Sequence, residues 1–370
     1  MGLLERYLAK EILLPFAAAL IFLTQLLLAT QVLARADILF GAGVTLSDLA
    51  GVVALLVPHL VGYVMPMSFL LGAILGTGRL ADDREIMAIG AAGLSPVRLV
   101  KVPLLLAAAV AALGLLLSVE VEPAGLREAG LRFNALIKRN ITANVRAGTF
   151  FDELPGYTVY AEQVSPKGWG HVLISDRSDP TSPVLALSQT GTLVPVGAGE
   201  AMVLELGQGE VHREEATSLE YLWAGFDRAS LSLGLGTTLS DQNVLAGSTK
   251  ALATEELMAR ATPGPGRDER QALVAEIALQ RRFSVPFAVI GFALIAVPIA
   301  ALRRGGRAAG IGATVAGVLA QYLLLRGGEV LAENHALAPA LAMQLPNVVL
   351  IAVGLALCGL LAHKGPGAVR

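Results

Sequence analysis

The chain has few of the charged residues that cover the surface of a water-soluble protein. Charged residues make up 16% of its 370 residues, hydrophobic residues make up 54%, and the mean hydropathy is +0.64. Because soluble domains are about one-quarter charged, much of this apolar surface must face something other than water. The formal net charge of -2 also gives no overall basic field, which argues against nucleic acid as a partner.

Cysteine is almost absent. The single residue, Cys358, excludes an intramolecular disulfide and gives no information on the redox compartment. It lies in an apolar run, so we interpret it as a small buried hydrophobic residue.

The sequence also lacks the common catalytic motifs. It has no G-x-x-x-x-G-K-[ST] phosphate loop, no H-E-x-x-H zinc pair and no G-x-S-x-G nucleophile elbow, and its five histidines form no pair at helical ligand spacing. We therefore predict no catalytic residues, no metal site and no bound cofactor, and we expect that the chain is not an enzyme. His59, beside Pro58, is either a polar lining residue or a histidine hydrogen-bonded within its own helix. Any work must draw on a gradient or on another polypeptide.

Long apolar runs are what the sequence does contain. A spanning helix needs about 20 apolar residues, and six stretches come close to this length. They are Ile12–Ala34, Leu49–Thr77, Leu99–Val121, Ser284–Leu302, Ala308–Val330 and Leu341–Ala362. The first run is longer than the ~7–15 residues of a signal-peptide core, so we interpret it as an uncleaved anchor.

The short connections between these runs differ in positive charge. Basic residues are concentrated before the first run, between the second and third, between the fourth and fifth, and in the tail. The positive-inside rule places these segments in the cytoplasm, so both termini are expected there. The long segment after the third run is then expected outside the cytoplasm.

This middle segment is rich in β-forming residues. Short runs with partial apolar–polar alternation predict strands, and Pro166-Lys-Gly168, Asp179-Pro180, Gly197-Ala-Gly199 and Gly207-Gln-Gly209 predict turns between them. An antiparallel sandwich or open barrel of roughly seven to ten strands is expected. Thr254-Glu-Glu-Leu257 then resembles a capping box at the start of a short helix, and Asp268–Arg282 is predicted to be a helix that leads into the fourth span.

The loop between the second and third runs predicts a short amphipathic helix. Asp82 and Asp83 favour its start, Gly93 favours its end, and Ile86 with Ile89 gives it an apolar face. Two interpretations remain open: an interfacial helix lying on lipid, and a helix that docks into a groove on a cytoplasmic partner.

Several motifs resemble one known family along nearly the whole chain. They are Glu5-Arg-Tyr-Leu-Ala-Lys-Glu11, then Gly78-Arg79-Leu80, Asp83-Arg-Glu85 and Ala91-Ala-Gly-Leu-Ser-Pro96 in the second loop, then Arg281-Arg-Phe-Ser-Val-Pro-Phe287, Ala296-Val-Pro298 and Leu345-Pro-Asn347. In this order, with a β domain between the third and fourth spans, they resemble the LptF/LptG lipopolysaccharide-export permeases. The region from Ile38 to Ser47 favours the F-type member.

The resemblance implies an α-helical membrane protein with six transmembrane helices and an inserted, all-β, jelly-roll-like periplasmic domain. The expected organisation is transmembrane helices one to three in 1–121, with a coupling helix at about 79–94, the β domain in 122–250, a periplasmic helical connector in 251–283, and helices four to six in 284–370. The expected location is the bacterial inner membrane.

The resemblance also implies partners. The chain would pair with a second six-span LptF/LptG-type subunit and with a cytoplasmic LptB-like ATPase dimer that uses ATP. An LptC-like single-span protein and an LptA-like bridge would receive the lipopolysaccharide.

Candidate site residues follow from the same resemblance. The coupling carboxylate would be Glu85, and Arg79, Asp83, Arg84 and Arg98 would join it at the ATPase. Arg79 and Arg98 fit simple anchoring at the inner membrane face equally well. Arg35 and Arg326 are the candidate contacts to lipid A phosphates, although Glu329 could neutralise Arg326 in an i,i+3 pair.

Two other functions remain open from the sequence. One is a membrane mechanotransmitter or scaffold that couples an ATPase to the periplasmic domain without moving lipid. The other is an ion-driven transporter, although the predicted spans have few of the mid-membrane ionisable residues that such proteins use.

Overall fold

The computed structural model describes residues 2–33, 45–132, 146–154, 156–165, 168–177, 183–196, 201–215, 220–233, 249–262, 269–302 and 306–364. Within these residues six helices are long and apolar enough to cross a membrane. We number them as spans one to six: Leu3–Leu33, Leu46–Asp82, Pro96–Arg132, Glu269–Leu302, Ala309–Glu333 and Pro339–His363. The six predicted spans are confirmed, and each observed helix extends beyond its apolar run.

Two short helices complete the described helical part. The loop helix, Glu85–Ala91, lies between spans two and three, and the connector helix, Thr254–Ala261, precedes span four. Span three is not uniform: it begins with a 3₁₀ turn at Pro96–Val100, is α-helical over Lys101–Leu116, and changes to a π-helix at Leu117–Val121. The predicted helix at 268–282 and the predicted fourth span form one continuous helix, Glu269–Leu302, which we call span four.

The chain forms two compact units. The membrane unit contains Met1–Leu28, Val57–Pro123 and Leu252–Arg370, and the β unit contains Ala29–Leu56 and Ala124–Ala251. The predicted 122–250 domain therefore lies almost wholly in the β unit, which also takes in the adjoining ends of spans one, two and three. The predicted connector at 251–283 belongs, from Leu252 onward, to the membrane unit.

Span four is the central helix of the membrane unit. It is the most buried of the six spans, and it packs against spans three, five and six. Close packing depends on small residues: a Cβ added at Gly291 would lie 2.6 Å from the Leu350 side chain, and one at Gly72 would lie 2.6 Å from Phe16. Small residues let helix backbones approach closely where no hydrophobic gain drives them together.

The β unit contains six described strands in one antiparallel sheet. They are β1 Phe150–Leu154, β2 Tyr157–Ser165, β3 Gly168–Asp176, β4 Val184–Val196, β5 Ala201–Glu215 and β6 Glu220–Leu233. Each strand pairs with the next along the chain, so the described strands form a meander. This confirms an inserted β domain. The described strand order contains no jelly-roll crossover, and the described count is below the expected seven to ten.

One predicted turn is wrong. Gly207-Gln-Gly209 lies inside β5, where Ser188 pairs with Gly209 and Thr190 with Gly207. A Cβ at Gly209 would lie 2.1 Å from the Leu187 carbonyl oxygen, and Gln208 has a positive φ of 41°. The glycines therefore permit close strand contact at a local distortion within the strand. Most of the other predicted turn motifs lie outside the described residues.

Candidate functional sites

The loop helix is shorter than the sequence suggested. Span two continues through Asp82, and Arg84 takes a left-handed conformation (φ 59°) before the helix begins at Glu85. Asp82 and Asp83 therefore belong to the end of span two and the following turn, not to the helix start. A left-handed non-glycine residue costs roughly 1–2 kcal/mol, so the surrounding contacts must hold this turn in place.

The end of the loop helix follows the prediction. The Gly93 N–H donates to the Gly90 carbonyl and the Leu94 N–H donates to the Ile89 carbonyl, at 3.0 and 3.2 Å. With Gly93 at φ 83°, this is a Schellman motif. The apolar face is also confirmed, because Ile86 is only 2% exposed and Ile89 packs against the same core. On the other side of the helix, Met87 is 45% exposed.

Three polar contacts connect the first turns of span one to this loop region. The Tyr7 hydroxyl donates to Glu85 Oε1 at 3.1 Å, and Arg79 Nη1 lies 3.0 Å from Glu11 Oε2. A third pair joins the Lys101 ammonium to the Glu5 carboxylate at 3.2 Å. Glu85 is therefore a half-buried carboxylate with a partner in its own chain, and Arg79 is already paired.

The predicted coupling residues lie along one stretch of chain, 79–98, from the last turn of span two to the first turn of span three. Asp83, Arg84 and Arg98 are exposed, and Asp83 lies 3.8 Å from the Arg79 guanidinium. Arg98 lines a cavity of about 130 Å³ between the start of span one and the loop helix. No role was predicted for Tyr7 or Glu11 from the sequence. The available signal was the two acidic residues of the first motif, which are opposite in charge to the four basic residues in and beside the second loop.

The second predicted site is only partly described. Arg35 lies outside the described residues. Arg326 Nη1 lies 2.7 Å from Glu329 Oε2, as the i,i+3 spacing suggested, and Glu329 Oε1 also binds Arg281 Nη1 at 2.5 Å. Glu329 is 7% exposed, whereas more than half of the Arg326 side chain is exposed. One buried carboxylate thus holds two guanidinium groups, and Glu333 lies 3.9 Å from Arg326.

Two of the recognised motifs meet near the middle of span four. The Asn347 amide donates to the Ser284 carbonyl and hydroxyl oxygens, at 2.9 and 3.2 Å, and the Ser284 hydroxyl donates to the Met343 carbonyl. These groups are buried, so the hydrogen bonds fix the pairing of spans four and six. His59, for which two interpretations were open, binds Glu122 Oε1 through Nδ1 at 2.8 Å, which is a contact between spans two and three.

In the part of the chain that the structure describes, no group of three or more His, Cys, Asp or Glu residues could hold a metal ion. Over residues 6–359, the chain matches the family model described as "Lipopolysaccharide export system permease LptF/LptG". The chain belongs to the LptF/LptG family. No curated protein matches it.

Membership in the LptF/LptG family makes this chain a non-catalytic subunit of lipopolysaccharide export, and the six apolar helices fit a multi-pass protein of the inner membrane. The LptF/LptG match covers the loop helix, the inserted sheet and the Arg281–Glu329–Arg326 cluster.

Proposed function

We propose that this chain is one permease subunit of an ATP-driven transporter that extracts lipopolysaccharide from the inner membrane and passes it to a periplasmic bridge. The partners would be an LptB-like ATPase dimer, a second LptF/LptG-type subunit, an LptC-like single-span protein and an LptA-like bridge. In this arrangement the termini and the loop helix face the cytoplasm, and the β domain faces the periplasm. The region from Ile38 to Ser47 favours the LptF role.

The coupling part of this proposal rests on the loop helix, which is buried on one side and exposed on the other. Its buried face is fixed to the membrane unit through Ile86, whereas Met87 and Arg84 point away from that core and are exposed. A short helix held rigidly on one side and exposed on the other can transmit force from a docked partner. Glu85 would contribute its second carboxylate oxygen to basic groups of the ATPase, while Tyr7 holds the first.

The substrate part of the proposal rests on the Arg281–Glu329–Arg326 cluster between spans four and five. Lipid A carries phosphates, and arginine binds phosphate through paired hydrogen bonds. Arg326 could turn from Glu329 to a phosphate without leaving a buried carboxylate unpaired, because Arg281 would remain on Glu329. Arg35 would supply a second cation. The engagement of Glu329 by two arginines also disfavours an ion-driven transporter, which needs a carboxylate available to bind its coupling ion.

Photo-crosslinking during ATP turnover tests the export function. A photoreactive residue at position 35, at position 322 in span five or within the β domain should form lipopolysaccharide adducts that depend on ATP. The same probe at Leu14, which is exposed in the first half of span one, serves as the control. If ATP hydrolysis proceeds normally while no probe gives ATP-dependent adducts, the chain is a mechanotransmitter rather than a permease.

Replacing Glu85 with Lys tests the coupling role. The variant should insert into the membrane normally but assemble poorly with the ATPase, because the new lysine would be repelled by the basic groups of the ATPase that we expect opposite position 85. Matched replacement of Asp82, which is exposed and lies at the end of span two, should have a smaller effect. Normal stimulation of the ATPase by the Glu85→Lys protein would remove Glu85 from this role.

A further inference from the structure

Arg282, in span four, is a buried cation with a specific set of partners. It is 7% exposed, and its two terminal nitrogens donate to the Thr254 hydroxyl at 3.0 Å and to the Leu252 carbonyl oxygen at 2.6 Å. A guanidinium group removed from water needs such partners to offset its lost hydration. Both partners lie at the start of the connector helix, so the guanidinium fastens that helix to span four.

Thr254 extends the same contact to span three. Its hydroxyl donates to the Val119 carbonyl at 2.9 Å, within the π-helical stretch of that span. A π-turn shifts the backbone hydrogen bonds from i+4 to i+5, and the register change leaves a carbonyl open to an outside donor. The ring then closes, because the Ser118 hydroxyl donates to the Arg282 backbone carbonyl at 3.1 Å.

A fourth element joins this ring through charge. Glu122, the first α-helical residue of span three after the π-helix, interacts electrostatically with Arg282, and its Oε1 contacts His59 Nδ1 of span two at 2.8 Å. The ring therefore contains a buried arginine, a nearby carboxylate and two hydroxyls, and it connects spans two, three and four with the connector helix. We call this set the junction network: His59, Ser118, Glu122, Thr254 and Arg282.

The junction network lies at special positions along the chain. The chain passes between the membrane unit and the β unit at four points, after Leu28, Leu56, Pro123 and Ala251, and the network lies beside the last three. His59, Glu122 and Leu252 each lie within three residues of one of these points, on the membrane-unit side. Polar contacts that satisfy a buried charge hold a fixed geometry better than apolar contacts, which tolerate sliding. The chain segments that lead to the β unit are therefore held in one arrangement with spans three and four.

We propose that Arg282 and Thr254 are positioning residues that make the connector helix move with spans three and four, so that rearrangement of these spans is passed through Leu252 to the β domain. This inference rests on the proposed function. The two residues act through the position of the connector helix, and their effect is on the amount of lipopolysaccharide delivered for each ATP hydrolysed.

The test uses the full transporter in proteoliposomes, with the ATPase and the periplasmic bridge protein present. Thr254→Val removes the hydroxyl and keeps the side-chain shape. Two control variants accompany it: Thr254→Ser keeps the hydroxyl, and Thr262→Val removes a hydroxyl that donates to the nearby Met258 carbonyl instead of to another span. In Thr254→Val, lipopolysaccharide delivered per ATP should fall by about fivefold or more, the factor expected for one buried hydrogen bond. The Thr254→Ser and Thr262→Val proteins should keep the wild-type ratio.

The ratio separates positioning from simple stability. A variant that only folds less well loses hydrolysis and delivery together, so its ratio stays unchanged, and that result would overturn the proposal. If the wild-type protein itself delivers no lipopolysaccharide on ATP addition, both the proposed function and this inference are rejected. Delivery by the wild type with an unchanged Thr254→Val ratio rejects the inference alone.

Hydrogen exchange gives a second readout that does not use transport. The amides of 254–261 should change their exchange rate when the wild-type complex is trapped with a nonhydrolysable ATP analogue. Arg282→Lys keeps the charge but loses the pair of guanidinium nitrogens that bind Thr254 and Leu252. In this variant and in Thr254→Val, the nucleotide response of the connector helix should be absent, while the exchange of other amides in span four still responds. A wild-type response in both variants would contradict the proposal.

Discussion

Replacing Glu329 with Gln should destabilise the membrane unit, because this carboxylate is the shared partner of two arginines. The substitution keeps the side-chain volume, so it leaves no cavity and removes only charge. Glu329 contacts Arg281 at 2.5 Å and Arg326 at 2.7 Å, and without it two guanidinium groups face each other beside a neutral amide.

The size of the effect follows from exposure. Removing one partner of a fully buried ion pair costs about 3–5 kcal/mol, whereas an exposed pair contributes about 0–1. Glu329 is buried, but the side chains of Arg281 and Arg326 are 32% and 56% exposed, so water recovers part of the loss. We expect a decrease in the free energy of unfolding of about 2 kcal/mol.

Reversible unfolding in mixed micelles with increasing denaturing detergent would measure this difference. The matched control is Glu333→Gln on the same helix, because Glu333 is about half exposed and 3.9 Å from Arg326. The control should change stability by less than about 0.5 kcal/mol. Adding Arg326→Gln to Glu329→Gln should recover part of the loss by removing the repulsion. Equal effects of the two glutamate substitutions would refute the reasoning.

Three further predictions concern other regions. Gly72→Ala should lower the free energy of unfolding by about 1–2 kcal/mol, because the new Cβ meets the backbone of span one. The control Gly312→Ala, whose Cβ would have nothing within 4 Å, should be neutral or stabilising in the same unfolding assay. Tyr7→Phe should preserve membrane insertion but reduce the ATPase stimulation by the permease a few-fold, since the loop-helix carboxylate loses its hydrogen bond; unchanged stimulation would contradict this role. In the β unit, hydrogen bonds from Trp223 and, to a smaller extent, from His212 lower the pKa of Glu210 from its ordinary 4.5. The stabilisation of the folded β unit by these bonds is therefore complete above pH 4.5, and it is lost as the pH falls through the lower pKa of the folded state. NMR titration of Glu210 should therefore give a higher pKa in Trp223→Phe.

The membrane architecture was predictable because apolar length is a strong local signal. Each of the six spans was located from its run of apolar residues, and Gly93 marked the end of the loop helix because few other residues adopt its backbone conformation. The start of the same helix was less predictable. The left-handed turn at Arg84 depends on contacts from span one to the residues on either side of it, and span one lies far away in sequence.

The polar contacts show the same limit. Thr254 was expected to cap its own helix, and the helix does begin there, but its hydroxyl donates to Val119, 135 residues earlier. A capping pattern describes local hydrogen bonding only, and a tertiary acceptor can take the donor instead. Likewise, the i,i+3 spacing indicated the Arg326–Glu329 pair, whereas nothing local could indicate that Arg281 shares the carboxylate.

The π-helical stretch in span three has a consequence for insertions and deletions. A π-turn holds one more residue than an α-turn, so the stretch Leu117–Val121 acts as a one-residue insertion in an otherwise α-helical rod. Deleting one residue there would restore a regular helix while Glu122 keeps the side of the helix that meets His59. Deleting one residue in the regular α-helical stretch Lys101–Leu116 would instead rotate every later position by about 100° around the axis. Glu122 would then leave the side of the helix that meets His59. The segment Leu117–Val121 is therefore the part of span three where the loss of one residue leaves the facing of later residues unchanged.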